Sequence, residues 1–199
     1  EALELARKVV EGLAAGKPAR AMGLPAEAIK PFSLLTAKPE LFVGNTDEDP
    51  DPKDVAALAA LARARGAGSL TLCGKLEAEI LELPPEDRPA FMAELGLRST
   101  GLERVIVEAY SLLDLISFLT AGPKEVRAWT IRRGWRAPQA AGVIHTDFEK
   151  GFIRADVYPF ADIDRLGSEL AVREKGLLRS EGKDYVVQDG DVCLFKFNV

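Results

Sequence analysis

Apolar positions at the start of the chain recur at helical spacing. Leu5, Val9 and Leu13 fall on one face of a helix over residues 1–15. Gly16 and Pro18 follow, and a glycine and then a proline are typical of a helix end. The first segment is therefore predicted to be an amphipathic helix.

The pattern then changes to short apolar runs that alternate with helical segments. Leu41–Val43 and Ser69–Leu72 are typical of buried strands, and helices are predicted over residues 53–65 and 75–83. This order predicts a parallel α/β sheet. Such a sheet needs more strands than these two, and the chain begins at Glu1 rather than at methionine. We therefore expect a fragment whose missing strands lie upstream.

One long apolar helix is predicted over residues 101–120, after a short helix over 84–97. Ala121-Gly122-Pro123 then gives the expected domain boundary. Beyond it the predicted elements are short. They are strands at 126–131 and 152–158, a helix near 140–145 and a strand pair around the Asp189–Gly190 turn. A small sheet with one packed helix is typical of a β-grasp domain.

Composition narrows the class of protein. Hydrophobic residues make up 47% and charged residues 29% of the chain, the balance of an ordinary soluble globular protein. No apolar run reaches the roughly 18 residues that a membrane helix needs, so no membrane partner is expected. Cys73 and Cys193 form neither a disulfide framework nor a metal-ligand spacing, which suits a cytoplasmic protein. His145 is interpreted as a structural residue at a helix end, not as a catalytic base.

Charge differs between the two predicted parts. Residues 1–122 carry 13 Lys and Arg against 19 Asp and Glu, whereas residues 123–199 carry 13 against 12. In the second part, basic residues interleave with aromatic ones, which suits phosphate neutralisation and base stacking on RNA. The alternative is a solvated face over core aromatics. The candidate RNA or ribosome contacts are Lys124, Arg127, Arg132, Arg133, Arg136, Lys150 and Arg154.

One segment of the chain resembles a phosphate-binding loop but does not match its pattern. The segment Gly12-Leu-Ala-Ala-Gly16-Lys17-Pro18 has three residues between its glycines instead of four, and Pro18 replaces the Ser or Thr that would hold magnesium. It also follows a helix rather than a strand. We interpret it as a glycine helix cap with a solvated lysine. No catalytic residue is assigned.

The informative motif follows the first predicted strand. Asn45-Thr46-Asp47-Glu48 stands where guanine-specific GTPases carry Asn-Lys-x-Asp, at the strand end where open α/β sheets bind ligands. The Asp of that motif accepts from the N1–H and 2-amino groups of guanine. The longer Glu48 and Thr46 in place of the Lys remove this discrimination, while the Asn45 amide can still meet the purine N7 edge. A polar loop leading into a helix is the alternative interpretation.

A second loop follows the next strand. In GTPases a Ser-Ala-Lys at this point offers a backbone amide to the purine. Cys73-Gly74-Lys75 stands at that point in this chain, and Gly74 would allow close approach of the backbone to a ligand. The two loops lie about 28 residues apart, and each follows its own strand. Together they are more specific than either alone.

Several segments resemble the YchF, or Obg-like, family of P-loop ATPases. Leu34–Pro39, Asn45–Glu48 and Lys75–Ile80 are similar to its nucleotide domain. The match to its TGS domain is stronger, and the run from Ala137 to Ala155 is the most specific. The other segments of that match are Phe118–Gly122, Lys124–Thr130, Glu181–Tyr185, Asp189–Val192 and Phe195–Val199.

The resemblance implies an architecture. Residues 1–20 would be the returning arm of a helical coiled-coil insertion, and residues 21–122 the C-terminal part of the nucleotide-binding domain, with a partial P-loop NTPase sheet. Residues 123–199 would be a TGS domain of the β-grasp, or ubiquitin-like, fold.

It also implies a function. The family prefers ATP, with GTP as the alternative purine nucleotide, and its partner is the ribosome or rRNA. Asn45, Thr46 and Glu48 fall on its altered base-recognition motif, and Cys73, Gly74 and Lys75 on its second base loop. The phosphate loop and the Mg²⁺-binding segment would lie upstream in the full-length ATPase, so we expect no hydrolysis by this chain alone. The alternatives are an RNA- or ribosome-docking TGS module with no enzymatic role, and a TGS-bearing piece of a synthetase or stringent-response enzyme. The paired base loops argue against the last.

Overall fold

The chain folds into two compact units, Glu1–Leu112 and Leu113–Val199. The structure is a computed structural model that describes residues 2–122 and 125–198. A two-stranded sheet forms in the first unit and a five-stranded sheet in the second. The fold is mixed α/β, as predicted. Within the described ranges, every helix is too short or too polar to cross a membrane.

The first unit begins with the predicted amphipathic helix. Val9 is buried against Ala19 and Ile29, with Leu5 and Leu13 partly buried around them. Short 3-10 turns at Ala19–Ala21, Lys30–Phe32 and Leu35–Ala37 lead to the first strand. The helices and strands of this unit are α1 (Ala2–Ala14), α2 (Ala26–Ile29), β1 (Leu41–Asn45), α3 (Pro52–Ala64), β2 (Gly68–Leu72), α4 (Gly74–Glu82), α5 (Arg88–Glu94) and α6 (Gly101–Leu112).

The two strands of this unit pair in parallel. Leu41 lies opposite Gly68, and Asn45 lies opposite Leu72. Between the strands, α3 begins with a proline after Asp51, whose carboxylate accepts a hydrogen bond from the Lys53 amide. The predicted order of strand, helix, strand and helix is confirmed.

The predicted helix over residues 101–120 is wrong beyond Leu112. Asp114 adopts a left-handed conformation with φ 54°, and the chain then runs as a strand, β3 (Leu115–Ala121). Ile116 and Phe118 are buried while their neighbours are half-buried, which is the period-two pattern of a strand and not that of a helix. The second compact unit therefore starts at Leu113, ten residues before the expected boundary at Pro123.

The second unit is built on a sheet with the order β4-β3-β7-β5-β6. Neighbouring strands are antiparallel except β3 and β7, which are parallel. Its remaining elements are β4 (Val126–Arg132), α7 (Ala137–Ile144), α8 (Thr146–Lys150), β5 (Phe152–Pro159), α9 (Phe160–Leu166), α10 (Glu169–Glu174), β6 (Arg179–Glu181) and β7 (Asp191–Phe197).

Helices pack against this sheet in two places. The alanines of α7 are fully buried in the main core with Phe118, Val157 and Phe195. A second cluster joins Tyr158 and Val192 to Val172 of α10. The prediction of one packed helix was therefore incomplete. His145 is structural: its Nδ1 accepts a hydrogen bond from the Asp147 amide, 3.2 Å away, at the start of α8.

The terminal strand pair was only partly right. Residues 191–197 form β7, but the segment before the Asp189–Gly190 turn makes a single bridge, between Arg136 and Val186. The neighbours of β7 in the sheet are instead β3 and β5. The reason is local: Asp189 Oδ1 accepts from the Ser117 amide (2.8 Å), which ties the turn to β3.

Candidate functional site

The two predicted base loops meet at one edge of the first sheet. Because β1 and β2 are parallel and in register, their carboxyl ends at Asn45 and Leu72 lie side by side. Thr46 fixes the junction, since its amide and its hydroxyl both donate to the Leu72 carbonyl, at 2.9 and 3.3 Å. Thr46 therefore positions the first loop against the second.

Asn45 bridges the two loops through its side chain. Its Oδ1 accepts a hydrogen bond from the amide of Gly74, 2.9 Å away. Gly74 is the first residue of α4, so Asn45 satisfies one of the free amides at that helix start. A Cβ added at Gly74 would lie 3.0 Å from Asn45 Oδ1, which shows how closely the loops approach. Among the described residues Asn45 Nδ2 has no hydrogen-bond acceptor, so it remains available as a donor.

This contact changes one expectation. The second loop was expected to offer a backbone amide to a purine, and its Gly74 amide already donates to Asn45. A purine acceptor would have to share that amide or use the next one along the helix start, at Lys75.

An ion pair also joins the loops. Lys75 Nζ lies 3.2 Å from Glu48 Oε1 and 3.8 Å from Glu79 Oε1. The hydrogen bond that Lys75 donates to Glu48, together with the negative charges of Glu48 and Glu79, raises the pKa of Lys75 above its ordinary value. Both partners of the Glu48–Lys75 pair are well exposed, so water and salt reach it.

Between the loops lies a solvent-open cavity of about 400 Å³, which is lined by Asn45–Asp49, Cys73 and Lys75. Its size falls within the range of small-molecule pockets. The Cys73 thiol is free and half-buried. Asp47 and Asp49 also line the cavity but were not assigned a role from sequence, although both belong to the same acidic run.

The side chains of the cavity include hydrogen-bond donors and acceptors that suit the edge of a heterocyclic base. The acidic run does not suit phosphate, which needs donors and positive charge. Within the described ranges there is also no cluster of His, Cys, Asp and Glu that would hold a metal ion. The donors and acceptors of this cavity therefore suit a heterocyclic base better than a phosphate group.

The candidate RNA contacts of the second unit are not gathered into one patch. Arg127 and Arg132 lie on β4 an odd number of residues apart, so they point to opposite faces of the sheet. Arg127 stacks on the Trp129 ring, 4.1 Å from its centroid. Lys150 ends α8, and Lys124 lies outside the described residues. Ion pairs join Arg127 to Glu125, Arg133 to Asp114, Arg136 to Asp184 and Arg154 to Asp156.

A buried polar network in the second unit was missed by sequence reasoning. Asp191 is 2% exposed, and its Oδ2 accepts from the Tyr185 hydroxyl (2.7 Å) and the Gln188 amide (2.8 Å). Arg179 donates to the same hydroxyl at 3.0 Å. These bonds hold the turn before β7. A turn signal at Asp189-Gly190-Asp191 was visible in the sequence, but nothing in it indicated which carboxylate is buried.

Comparison with known proteins gives consistent matches. Residues 115–198 match the family model YchF-GTPase_C, described as a protein of unknown function (DUF933). The ribosome-binding ATPase YchF of Bacillus subtilis (strain 168) is 44% identical over 98% of this chain and 56% of its own length. The protein of the same name from Escherichia coli O157:H7 is 49% identical over 90% of this chain and 51% of its own length.

A solved structure agrees with these matches. The Schizosaccharomyces pombe YchF GTPase superposes with a TM-score of 0.77 at 32% identity, and the match covers 96% of this chain and 53% of that one. The chain thus spans about half the length of the relatives it matches.

Proposed function

The chain belongs to the YchF and Obg-like ATPase family, and from that premise we propose that it supplies the base-recognition half of a purine nucleotide site and a docking module for the ribosome. The observation that carries the first part is the convergence of Asn45–Glu48 and Cys73–Lys75 around one cavity. The Bacillus subtilis and Escherichia coli relatives are named ribosome-binding ATPases, which supports both parts of the proposal.

Asn45 is the central base contact in this proposal. With Oδ1 held by the Gly74 amide, its Nδ2 is aimed by that bond and donates to a purine ring nitrogen such as N7. Thr46 keeps Asn45 in place through Leu72. The amides at the start of α4 offer further donors.

ATP is the preferred nucleotide and GTP the weaker one. Guanine gains affinity from a short carboxylate that accepts its N1–H and 2-amino groups. In this chain the carboxylate at that place is the longer Glu48, and it is paired with Lys75. Adenine presents an acceptor at N1 and needs no such carboxylate.

Hydrolysis belongs to the full-length parent. The sequence has no Gly-x-x-x-x-Gly-Lys-Ser/Thr segment, and phosphoryl transfer depends on such a loop with Mg²⁺ to position and neutralise the phosphates. This chain alone is therefore expected to bind nucleotide weakly and not to hydrolyse it.

The second unit is the docking module. We infer a TGS domain of β-grasp type, supported by a five-stranded mixed sheet with α7 packed on its core. The strand Leu115–Ala121 belongs to this domain in our assignment, with α1 as the returning coiled-coil arm and the rest of the first unit as part of the nucleotide domain. The proposed setting is the cytoplasm.

Nucleotide binding is tested by titrating the ¹⁵N-labelled chain with ATP and GTP. Shifts are expected at the Thr46, Gly74 and Lys75 amides, with the second unit as an internal control. Calorimetry should give a Kd weaker than about 10 μM, because the 199-residue chain has no phosphate-binding loop to hold the nucleotide phosphates. Tighter binding would contradict the assignment of most affinity to the upstream half.

Docking is tested by co-sedimentation with ribosomes. The double variant Arg132→Glu and Lys150→Glu removes two cations of the second unit for which no ion pair is seen within residues 2–122 and 125–198, and it should weaken binding. The matched variant Lys17→Glu and Lys38→Glu makes the same charge change at two lysines of the first unit that likewise have no ion pair among the described residues, and it should not weaken binding. Co-sedimentation that survives removal of residues 113–199 would rule out the docking role. If only nucleotide binding fails, the alternative of a docking module without a nucleotide role is favoured.

A further inference from the structure

The ion pair between the two base loops points to a determinant of base specificity. We propose that Lys75 discriminates against guanine by holding the Glu48 carboxylate, which withholds from guanine the acceptor it would otherwise use. The inference deepens the proposed function and rests on it, because it presupposes that a purine occupies the cavity. Lys75 acts through Glu48 and is thus a positioning residue.

The geometry places Lys75 for this role. Its Nζ lies 3.2 Å from Glu48 Oε1, within hydrogen-bond distance. The two residues come from different loops, after β1 and after β2, and both line the cavity. Glu79 lies on α4 one turn after Lys75, 3.8 Å from the same Nζ. Glu48 is therefore the closer of the two carboxylates and the one that faces the cavity.

The chemistry of the two purines gives the pair its effect. Guanine presents two adjacent donors, N1–H and the 2-amino group, and a free carboxylate accepts both. A carboxylate that already accepts from an ammonium has to break or share that bond first. Adenine presents an acceptor at N1 and forms no hydrogen bond with the carboxylate, so the ion pair does not lower the affinity for adenine. The length of Glu48, one methylene more than Asp, is what we infer to let it reach Lys75.

The magnitude is modest because both side chains are exposed, at 74% for Lys75 and 57% for Glu48. Exposed ion pairs contribute little, so loss of this one should change the ratio of guanine to adenine affinity by about twofold to fivefold. The effect should also weaken in high salt, which screens exposed charges.

The test compares binding of AMP and GMP to the 199-residue chain by amide chemical shifts at low ionic strength. Lys75→Met keeps the apolar stem but removes the charge, and it should raise GMP affinity relative to AMP by about twofold to fivefold. Lys75→Arg keeps a cation beside Glu48 and should retain the wild-type ratio. Glu79→Gln removes the other carboxylate near Lys75 and should leave the ratio unchanged. In high salt the wild-type ratio should approach that of Lys75→Met.

The outcomes separate this inference from the function on which it rests. An unchanged ratio in Lys75→Met, or an equal change in affinity for both nucleotides, would overturn the role of Lys75 while leaving the base site intact. If the wild-type chain shows no shift at Thr46 and Gly74 with either nucleotide, the base site itself is wrong. Unchanged amide spectra of the free variants, apart from residues next to the substitution, show that each variant is folded.

Discussion

Each of the two units is stabilised internally in a different way. In the second unit, twelve buried residues form one connected core under a five-stranded sheet. Among the described residues of the first unit, the buried cluster has three members, and the sheet has two strands. Large apolar side chains such as Val43 and Val107 are 45% and 66% exposed there. The first unit thus depends more on turns and individual hydrogen bonds, and the second on packing.

This difference affects where function can be placed and how substitutions act. The proposed base loops lie on the sparsely packed unit, where Asn45, Thr46 and Glu48 are fixed by bonds between loops rather than by a surrounding core. Substitutions there are expected to change local order and ligand contacts. Substitutions in the second unit are expected to change its free energy of unfolding. Both tryptophans, Trp129 and Trp135, lie in the second unit, so their fluorescence separates the two kinds of effect.

The largest effect is expected from Phe118→Ala. Phe118 is fully buried at the centre of β3 and packs edge to face on Phe195, with ring centroids 5.7 Å apart. Its truncation should lower the free energy of unfolding of the second unit by about 3–5 kcal/mol, measured by urea denaturation followed by tryptophan fluorescence.

The control for that experiment is a buried residue of the other unit. Ile80 is 1% exposed. Ile80→Ala should leave the midpoint of the fluorescence transition unchanged, while part of the helical circular dichroism signal is lost at a lower urea concentration than in the wild type. An equal shift of the fluorescence midpoint in both variants would show that the two units unfold together, and the comparison between them would fail.

A smaller effect is expected from the polar network of the second unit. Burial and then the hydrogen bond to Asp191 raise the pKa of Tyr185, and burial likewise raises the pKa of the Cys193 thiol. A raised pKa in the folded state means that this contribution to stability is complete below the ordinary values, about 8.5 for a thiol and about 10 for a phenol. It is lost as the pH rises through and above them. The second unit should therefore lose stability above about pH 9.

Tyr185→Phe sharpens this prediction. It removes the hydroxyl that donates to the buried Asp191 carboxylate and leaves the Gln188 amide as the remaining donor to Oδ2, so it should cost about 1–3 kcal/mol at neutral pH. It should also flatten the alkaline loss above about pH 10, whereas Cys193→Ala should flatten the loss from about pH 8.5 upward. An alkaline slope that is the same in wild type and both variants would mean that other groups cause it.

The sequence was informative where a local pattern determines the structure. The strand ends at Asn45 and Leu72, with the loops after them, follow from short apolar runs bounded by glycine and polar residues. It failed at residues 113–121, because Leu115–Leu119 is apolar at nearly every position and a buried strand and a buried helix then look alike. The decisive feature, the left-handed Asp114, is a backbone conformation that the pattern does not reveal.

At the proposed base site, too, the sequence predicted some features and not others. Residue types and spacing predicted two loops, Asn45–Glu48 and Cys73–Lys75, and the structure places these loops side by side. They did not predict that Asn45 would accept the Gly74 amide or that Glu48 would pair with Lys75. Both bonds depend on the distance between two loops, and that distance is set by the β1–β2 register. Contacts between segments almost thirty residues apart need the structure.

The smallest effect on stability is expected at Asn45, and it tests the claim that the first unit is held by single hydrogen bonds. Asn45→Ala removes the acceptor for the Gly74 amide and should cost about 1 kcal/mol, the usual value of a lost helix cap. The loss should appear as faster hydrogen exchange at Gly74, with the tryptophan fluorescence transition unchanged. Asn45→Asp keeps an acceptor at the same place but loses the Nδ2 donor, so Gly74 should stay protected while purine binding weakens. Loss of protection in both variants would mean that the loop depends on more than this bond, and retention of purine binding in Asn45→Asp would remove Asn45 as the base contact.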